Sequence, residues 1–116
     1  MGRAQGMTEQ AFFVLTALTG GPRHGYGILG EVAELSQGRV RLRVGTLYGV
    51  LERLVADELV VPDRDEVHQG RLRRYYRLTD AGGRTLAAEA ARQAANARAA
   101  SERLRQWWPA VEGGEL

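Results

Sequence analysis

Half of the twenty residues from Ala81 to Ala100 are alanine, and no proline falls between Pro62 and Pro109. Alanine is the best helix former, so this stretch predicts one long helix. Thr79 caps it, Asp80 sits in its first turn, and Pro109 is expected to end or kink it, with Glu112 to Leu116 frayed. Leu86, Ala90, Gln93, Ala97, Ala100, Leu104 and Trp107 recur in steps of four and three, a heptad seam of mostly small residues. A helix with a single narrow seam needs something to pack on. The least elaborate partner is its own copy in a second chain, related by a two-fold axis. The alternative is folding back on its own domain, against Phe12 and Leu15, and the two can coexist.

The preceding residues divide into short elements. Thr8 to Leu18 reads as a helix with Ala11, Phe12, Leu15 and Leu18 on one stripe, closed by Gly20-Gly21-Pro22. A second helix runs from His24 or Gly25 to Ser36, with Ile28, Leu29, Val32 and Leu35 on one face. Arg39 to Val44 alternates arginine with Val40, Leu42 and Val44, which predicts a short extended segment. A third helix from Val44 to Asp57 buries Leu47, Val50, Leu51 and Leu54. Leu59–Val61, closed by Pro62, and Arg73–Leu78 read as strands of a hairpin whose long tip is the polar stretch Asp63 to Gly70. The fold class expected is mainly α with a small β-hairpin: a winged helix-turn-helix over residues 7–78, a C-terminal dimerisation helix over 79–109, and flexible tails at 1–6 and 110–116.

Composition then excludes several functions. A chain of 116 residues suits one domain with a real core. Without cysteine there are no disulfides, thiolate nucleophiles or sulfur-ligated zinc. The longest uncharged run, Gln10 to Pro22, is too short to span a bilayer, and no leader or myristoylation signal is recognisable, so a cytoplasmic location is expected. Histidine occurs only at His24 and His68, with no carboxylate pair or thiol at catalytic spacing, so no enzyme, metal site or cofactor is expected. His24 reads as a helix-start or packing residue and His68 as a solvated one.

All 16 basic residues are arginine, a bias that a GC-rich genome also produces. Net charge is only +2, so any basic surface must come from clustering. Two acid-free runs exist: Arg39, Arg41 and Arg43, and Arg71, Arg73, Arg74 and Arg77. Such runs are the electrostatic footprint of a nucleic-acid binder, or else simply a solvated face.

With Leu47 at the centre of the buried stripe, Gly45, Gly49 and Glu52 fall opposite it, Thr46 and Arg53 on one flank and Tyr48 on the other. Glycine costs about 1 kcal/mol against alanine inside a helix, so Gly49 wants a reason. Close approach to another molecule is one: in a major groove the helix could sit deep, with Thr46 and Tyr48 reaching phosphates or base edges. Gly45 as a plain turn, and Tyr48 as a half-buried flank residue, are the alternatives. Glu52 would repel phosphate unless it pairs with Arg53 or accepts from a cytosine amino group.

Three blocks together carry a resemblance: His24-Gly25-Tyr26-Gly27-Ile28; Gly45-Thr46-Leu47-Tyr48 with Leu51 and Arg53-Leu54; and Gly70-Arg71 through Arg74-Tyr75-Tyr76-Arg77-Leu78-Thr79 with Gly82. In order and spacing, over about Val14 to Leu86, the chain resembles the PadR family of bacterial transcriptional regulators, in its smaller subgroup with a single C-terminal helix. The resemblance implies a dimeric winged-helix repressor. Thr46 and Tyr48 would lie on the reader helix, Arg71, Arg73 and Arg74 on the wing, and Tyr26 at the start of the supporting helix, touching phosphate or packing. The chain departs from the family pattern at Gly49, where proline is usual, at Glu58, where glycine is common, and in the acidic Asp63, Asp65 and Glu66 of the wing. Some small members bind flat drugs on a mid-helix tryptophan; the corresponding stretch here offers Gln93 among alanines, with Trp107 and Trp108 at the far end, so drug binding is not carried over.

The function expected is sequence-specific binding of double-stranded DNA by a homodimer on an inverted-repeat operator, repressing transcription. The residues assigned to DNA are Tyr26, Arg41, Arg43, Gly45, Thr46, Tyr48, Gly49, Arg53, Arg71, Arg73 and Arg74. A protein-interaction module that has lost DNA binding is the alternative. A small-molecule effector could wedge the final helices apart, using space beside Gln93 and Trp107.

Overall fold

The structure, a computed structural model, describes residues 7–115 and the side chains of 7–109. Its elements run α1 (Glu9–Leu18), β1 (Arg23–His24), α2 (Gly25–Leu35), α3 (Val44–Ala56), β2 (Val60–His68), β3 (Arg71–Leu78) and α4 (Asp80–Glu115). The chain divides into two compact units, Met1–Leu86 and Ala87–Leu116. The first two turns of α4 therefore belong to the first unit, and Leu86 packs against its core.

In that unit, Val14, Leu15 and Leu18 of α1, Ile28 and Val32 of α2, and Leu47, Leu51 and Leu54 of α3 meet Val60 and Tyr76 of the sheet. The helix starts follow their caps. Thr8 accepts from the Ala11 amide at 3.1 Å, and the His24 ring accepts from the Gly27 amide at 3.3 Å. Leu35, expected on the buried face of α2, is exposed. Its place is taken by Ser36, four residues beyond Val32, whose hydroxyl bonds the Val40 amide at 2.9 Å.

That bond also explains why Arg39 to Val44 is not a strand. The burial alternation survives in part, with Val40 buried, Leu42 half-buried and the arginines outside, while Val44, expected on the apolar side, is exposed. The Val40 backbone, however, finds its partner in a serine hydroxyl instead of a ladder. The strand beside β3 is instead β1, two residues long, so the antiparallel sheet has the order β1-β3-β2.

The hairpin is longer and its tip shorter than expected. β2 continues through Pro62 to His68, with a bulge between Pro62 and Arg64. Proline is tolerated because β2 is an edge strand and the bulge re-aims the chain. The tip is only Gln69-Gly70, with φ of 53° and 78°, the double positive φ of a type I′ turn.

The start of α4 is tied to the end of α3. Thr79 Oγ1 accepts from the Gly82 amide at 2.9 Å and donates to the Glu58 carbonyl at 2.8 Å, while the Thr79 amide donates to the Leu59 carbonyl at 3.1 Å. A Cβ on Gly82 would run into the Leu59 carbonyl. Glu58, where glycine is usual in the resembling family, sits at φ 63°.

In the second unit α4 is helical through Pro109 to Glu115, so the stop expected at Pro109 is absent. Proline removes one intrahelical hydrogen bond, and the long helix already formed ahead of it carries the chain past that loss. Residues 1–6, expected as a tail, lie outside the described residues, and no membrane-crossing helix occurs among those described.

Two glycine exchanges at this joint should act in opposite directions. Gly82→Ala, which needs space held by backbone, is expected to cost about 2–3 kcal/mol in urea unfolding. Glu58→Gly, which relieves a left-handed residue, is expected to gain about 0.5 kcal/mol.

Candidate nucleic-acid interface

Burial of Leu47, Leu51 and Leu54 leaves the opposite side of α3 to solvent. Gly45 and Gly49 lie there with nothing within 4 Å of the Cβ that either lacks. Neither glycine is therefore needed for packing inside the described chain. Thr46, Glu52 and Arg53 are also exposed, and Glu52 does not pair with Arg53. The helix opens at Arg43 without a side-chain cap and without an acid in its first turn. Val44, Gly45 and Thr46 of its first turn are exposed, so its first amides have no side-chain partner and its positive end carries no acid, an arrangement suited to an anion.

Tyr48 resolves into a packed and an exposed part. Its hydroxyl lies 2.6 Å from where a Cβ of Gly25 would stand, so Gly25 is the notch that lets the phenol lie across the start of α2. The residue nonetheless keeps 43% of its surface exposed. Tyr26, on the first turn of α2, is 62% exposed.

Between these tyrosines and the inner side of the hairpin lies an open cleft of about 430 Å³. Tyr26, Tyr48, Arg71, Arg73 and Arg74 line it, together with His24 and His68, and its lining holds no carboxylate. The cleft thus gathers five of the residues assigned to DNA from sequence. Arg41, Arg43, Gly45, Thr46, Gly49 and Arg53 lie outside it, on α3 and the segment leading to it.

The acids of the wing have specific partners. Arg64 reaches Glu66 at 2.6 Å and Asp63 at 3.0 Å, and its guanidinium lies 4.0 Å from the Tyr75 ring centre. Asp65 holds Arg74 at 3.2 Å, and Asp63 holds Arg77 at 3.3 Å. Hydrogen bonds from Arg64 and Tyr75 keep the Glu66 carboxyl below its ordinary range. Arg39, in the first arginine run, is paired with Glu9 at 2.7 Å. Among the described residues Arg41, Arg43, Arg53, Arg71 and Arg73 make no ion pair. These pairs are exposed and worth little, so a phosphate can compete for Arg74.

Sequence reasoning missed the two histidines as cleft residues. His24 is the cap of α2, its other ring nitrogen 3.2 Å from Arg73 Nη1 and its ring edge-on to Tyr75 at 5.2 Å. Its place just before a helix-opening glycine was the available signal. His68 is exposed at the last position of β2. Among the described residues no group of three or more His, Asp or Glu is placed to hold a metal.

On α4, Ala90, Gln93, Ala97, Ala100, Leu104 and Trp107 are all exposed, Leu104 by 45% and Trp107 by 55%. Leu86, which heads the same seam, is half-buried.

The fold and its parts have close counterparts. A PadR family transcription regulator from Clostridium difficile shares 22% identity, with a TM-score of 0.67 over 84% of this chain and 99% of that one. Bacillus subtilis PadR, solved in complex with operator DNA, has a TM-score of 0.58 at 22% identity, over 66% of this chain and 43% of that one. A transcriptional regulator of Mycobacterium tuberculosis is 51% identical over 49 residues, which are 42% of this chain and 45% of that protein. The matched regions take in between 22% and 55% of the length of the curated relatives. Residues 14–88 match the transcriptional regulator PadR-like family, and this chain belongs to it.

Proposed function

We propose that the protein binds double-stranded DNA as a homodimer and represses transcription by occupying an inverted-repeat operator. The observation that carries the reading is the open side of α3, where Gly45 and Gly49 have no neighbour and Thr46 and Arg53 point outward. Arginines without ion pairs stand before it and on the hairpin, where they can fix the register on phosphates while α3 reads base edges. The relative solved with its operator supports the same use of the fold. Dimerisation is supported by the row of exposed alanines on α4 that runs to Leu104 and Trp107. Two reader helices about a two-fold axis call for half-sites about one helical turn apart.

The second reading, a protein-interaction module, draws on the pairing of Arg64, Arg74 and Arg77 with wing carboxylates. A gel shift against the region upstream of the protein's own gene separates the two. Binding that weakens steeply with salt supports the DNA reading, and no shift at low salt overturns it.

Within the DNA reading, Arg71→Ala is expected to weaken binding to operator and mixed-sequence duplex alike and to lower the salt slope by about one. Thr46→Ala should cost about 1–3 kcal/mol on the operator alone if Thr46 reads a base, and equal losses on both duplexes would make it a backbone anchor. Gly49→Leu is the sharper test. It should raise helix stability by about 0.5–1 kcal/mol, because the site is open, yet weaken operator binding by holding α3 back from the depth that Gly49 allows. Replacing Leu104 and Trp107 together with glutamate should yield monomers in sedimentation analysis.

A further inference from the structure

The His24 ring is asked to accept two hydrogen bonds and can accept one. Its Nδ1 faces the Gly27 amide at 3.3 Å and its Nε2 faces Arg73 Nη1 at 3.2 Å. A backbone amide and a guanidinium are both donors only, whereas a neutral imidazole has a single lone pair and a single N–H. Whichever tautomer forms, one N–H is aimed at another N–H. Protonation makes both contacts repulsive. Burial holds the ring's pKa below the ordinary histidine value, with Arg73 and His68 adding to the effect and Glu66 opposing it.

Glu66 stands opposite Arg73 in the hairpin register, but it bonds Arg64 through Oε2 and makes no ion pair with Arg73. His24 and Arg73 both line the carboxylate-free cleft, and Nε2 is the ring nitrogen that faces Arg73, so an acceptor entering there would meet two donors at once.

We propose that His24 and Arg73 form a seat for one phosphate of the DNA backbone: Nδ1 keeps the cap on Gly27, Nε2 carries the proton, and a phosphate oxygen accepts from both Nε2–H and the guanidinium. The seat rests on the DNA reading above and adds to it a neutral donor that the arginine runs do not suggest. The conflict in the free chain becomes part of the affinity, because binding replaces a donor–donor contact by two bonds to an anion.

Two substitutions divide the roles of the ring. His24→Asn keeps an acceptor at the cap but does not reach the cleft. His24→Gln reaches the cleft but gives up the cap geometry. With mixed-sequence duplex as the probe, His24→Asn should keep the wild-type melting temperature and bind about tenfold more weakly, the worth of one hydrogen bond to a charged acceptor, with the salt slope unchanged. His24→Gln should melt lower and retain most of the affinity. In the wild-type complex, imidazole nitrogen chemical shifts should report the Nε2–H tautomer. Wild-type affinity in His24→Asn, or an Nδ1–H tautomer in the complex, overturns the seat alone. A wild-type chain that binds no duplex at low salt overturns the DNA reading, and the seat with it.

Discussion

Burial of a single stripe on α3 governs the rest of the molecule. Leu47, Leu51 and Leu54 are almost fully enclosed between α1, α2 and the sheet, which fixes the rotation of the helix about its axis. Once that rotation is set, Gly45, Thr46 and Gly49 have to face outward. Burying leucine side chains is worth about 1.5–3 kcal/mol each, far more than the helix loses by carrying two exposed glycines. Packing can therefore tolerate a reader face that is poor by helix propensity. The tie between Thr79, Glu58 and Leu59 then holds the end of α3 against the start of α4.

Electrostatics refine the face that packing creates. A net charge of +2 hides an uneven distribution. Asp63, Asp65 and Glu66 of β2 pair with Arg64 on the same strand and with Arg74 and Arg77 of β3, which matches three acids with three arginines across the hairpin. Arg71 and Arg73, near the tip and on the inner strand, keep uncommitted charge beside the cleft. The acids of the wing thus serve to confine its positive charge to one side. They also blunt an edge strand that would otherwise invite pairing with another sheet.

Much of this was legible in the residues because helical periodicity and caps are local signals. The four helices, the Thr8 and Thr79 caps and the buried leucines of α3 all followed from spacing. What escaped depended on partners distant in sequence. Arg39 to Val44 alternates like a strand, yet Ser36 satisfies the Val40 backbone first. Arg23–His24 joins the sheet only because β3 has a free edge beside it, which two residues cannot announce. Polar composition disguised β2 as a loop, since an exposed edge strand needs no apolar alternation. At the interface, the arginine runs and the glycines of α3 were readable. The pairing of Arg39 with Glu9, and the two donors facing His24, needed coordinates.

The most direct check follows backbone amide chemical shifts as duplex DNA from the protein's own upstream region is titrated in. The amides of residues 44–49, at the start of α3, and 71–74, on the hairpin, should shift first and most, with those of α4 beyond Ala87 largely unmoved. Shifts confined to α4, or none along α3 at saturating DNA, would contradict the assignment of that open helical face to the double helix.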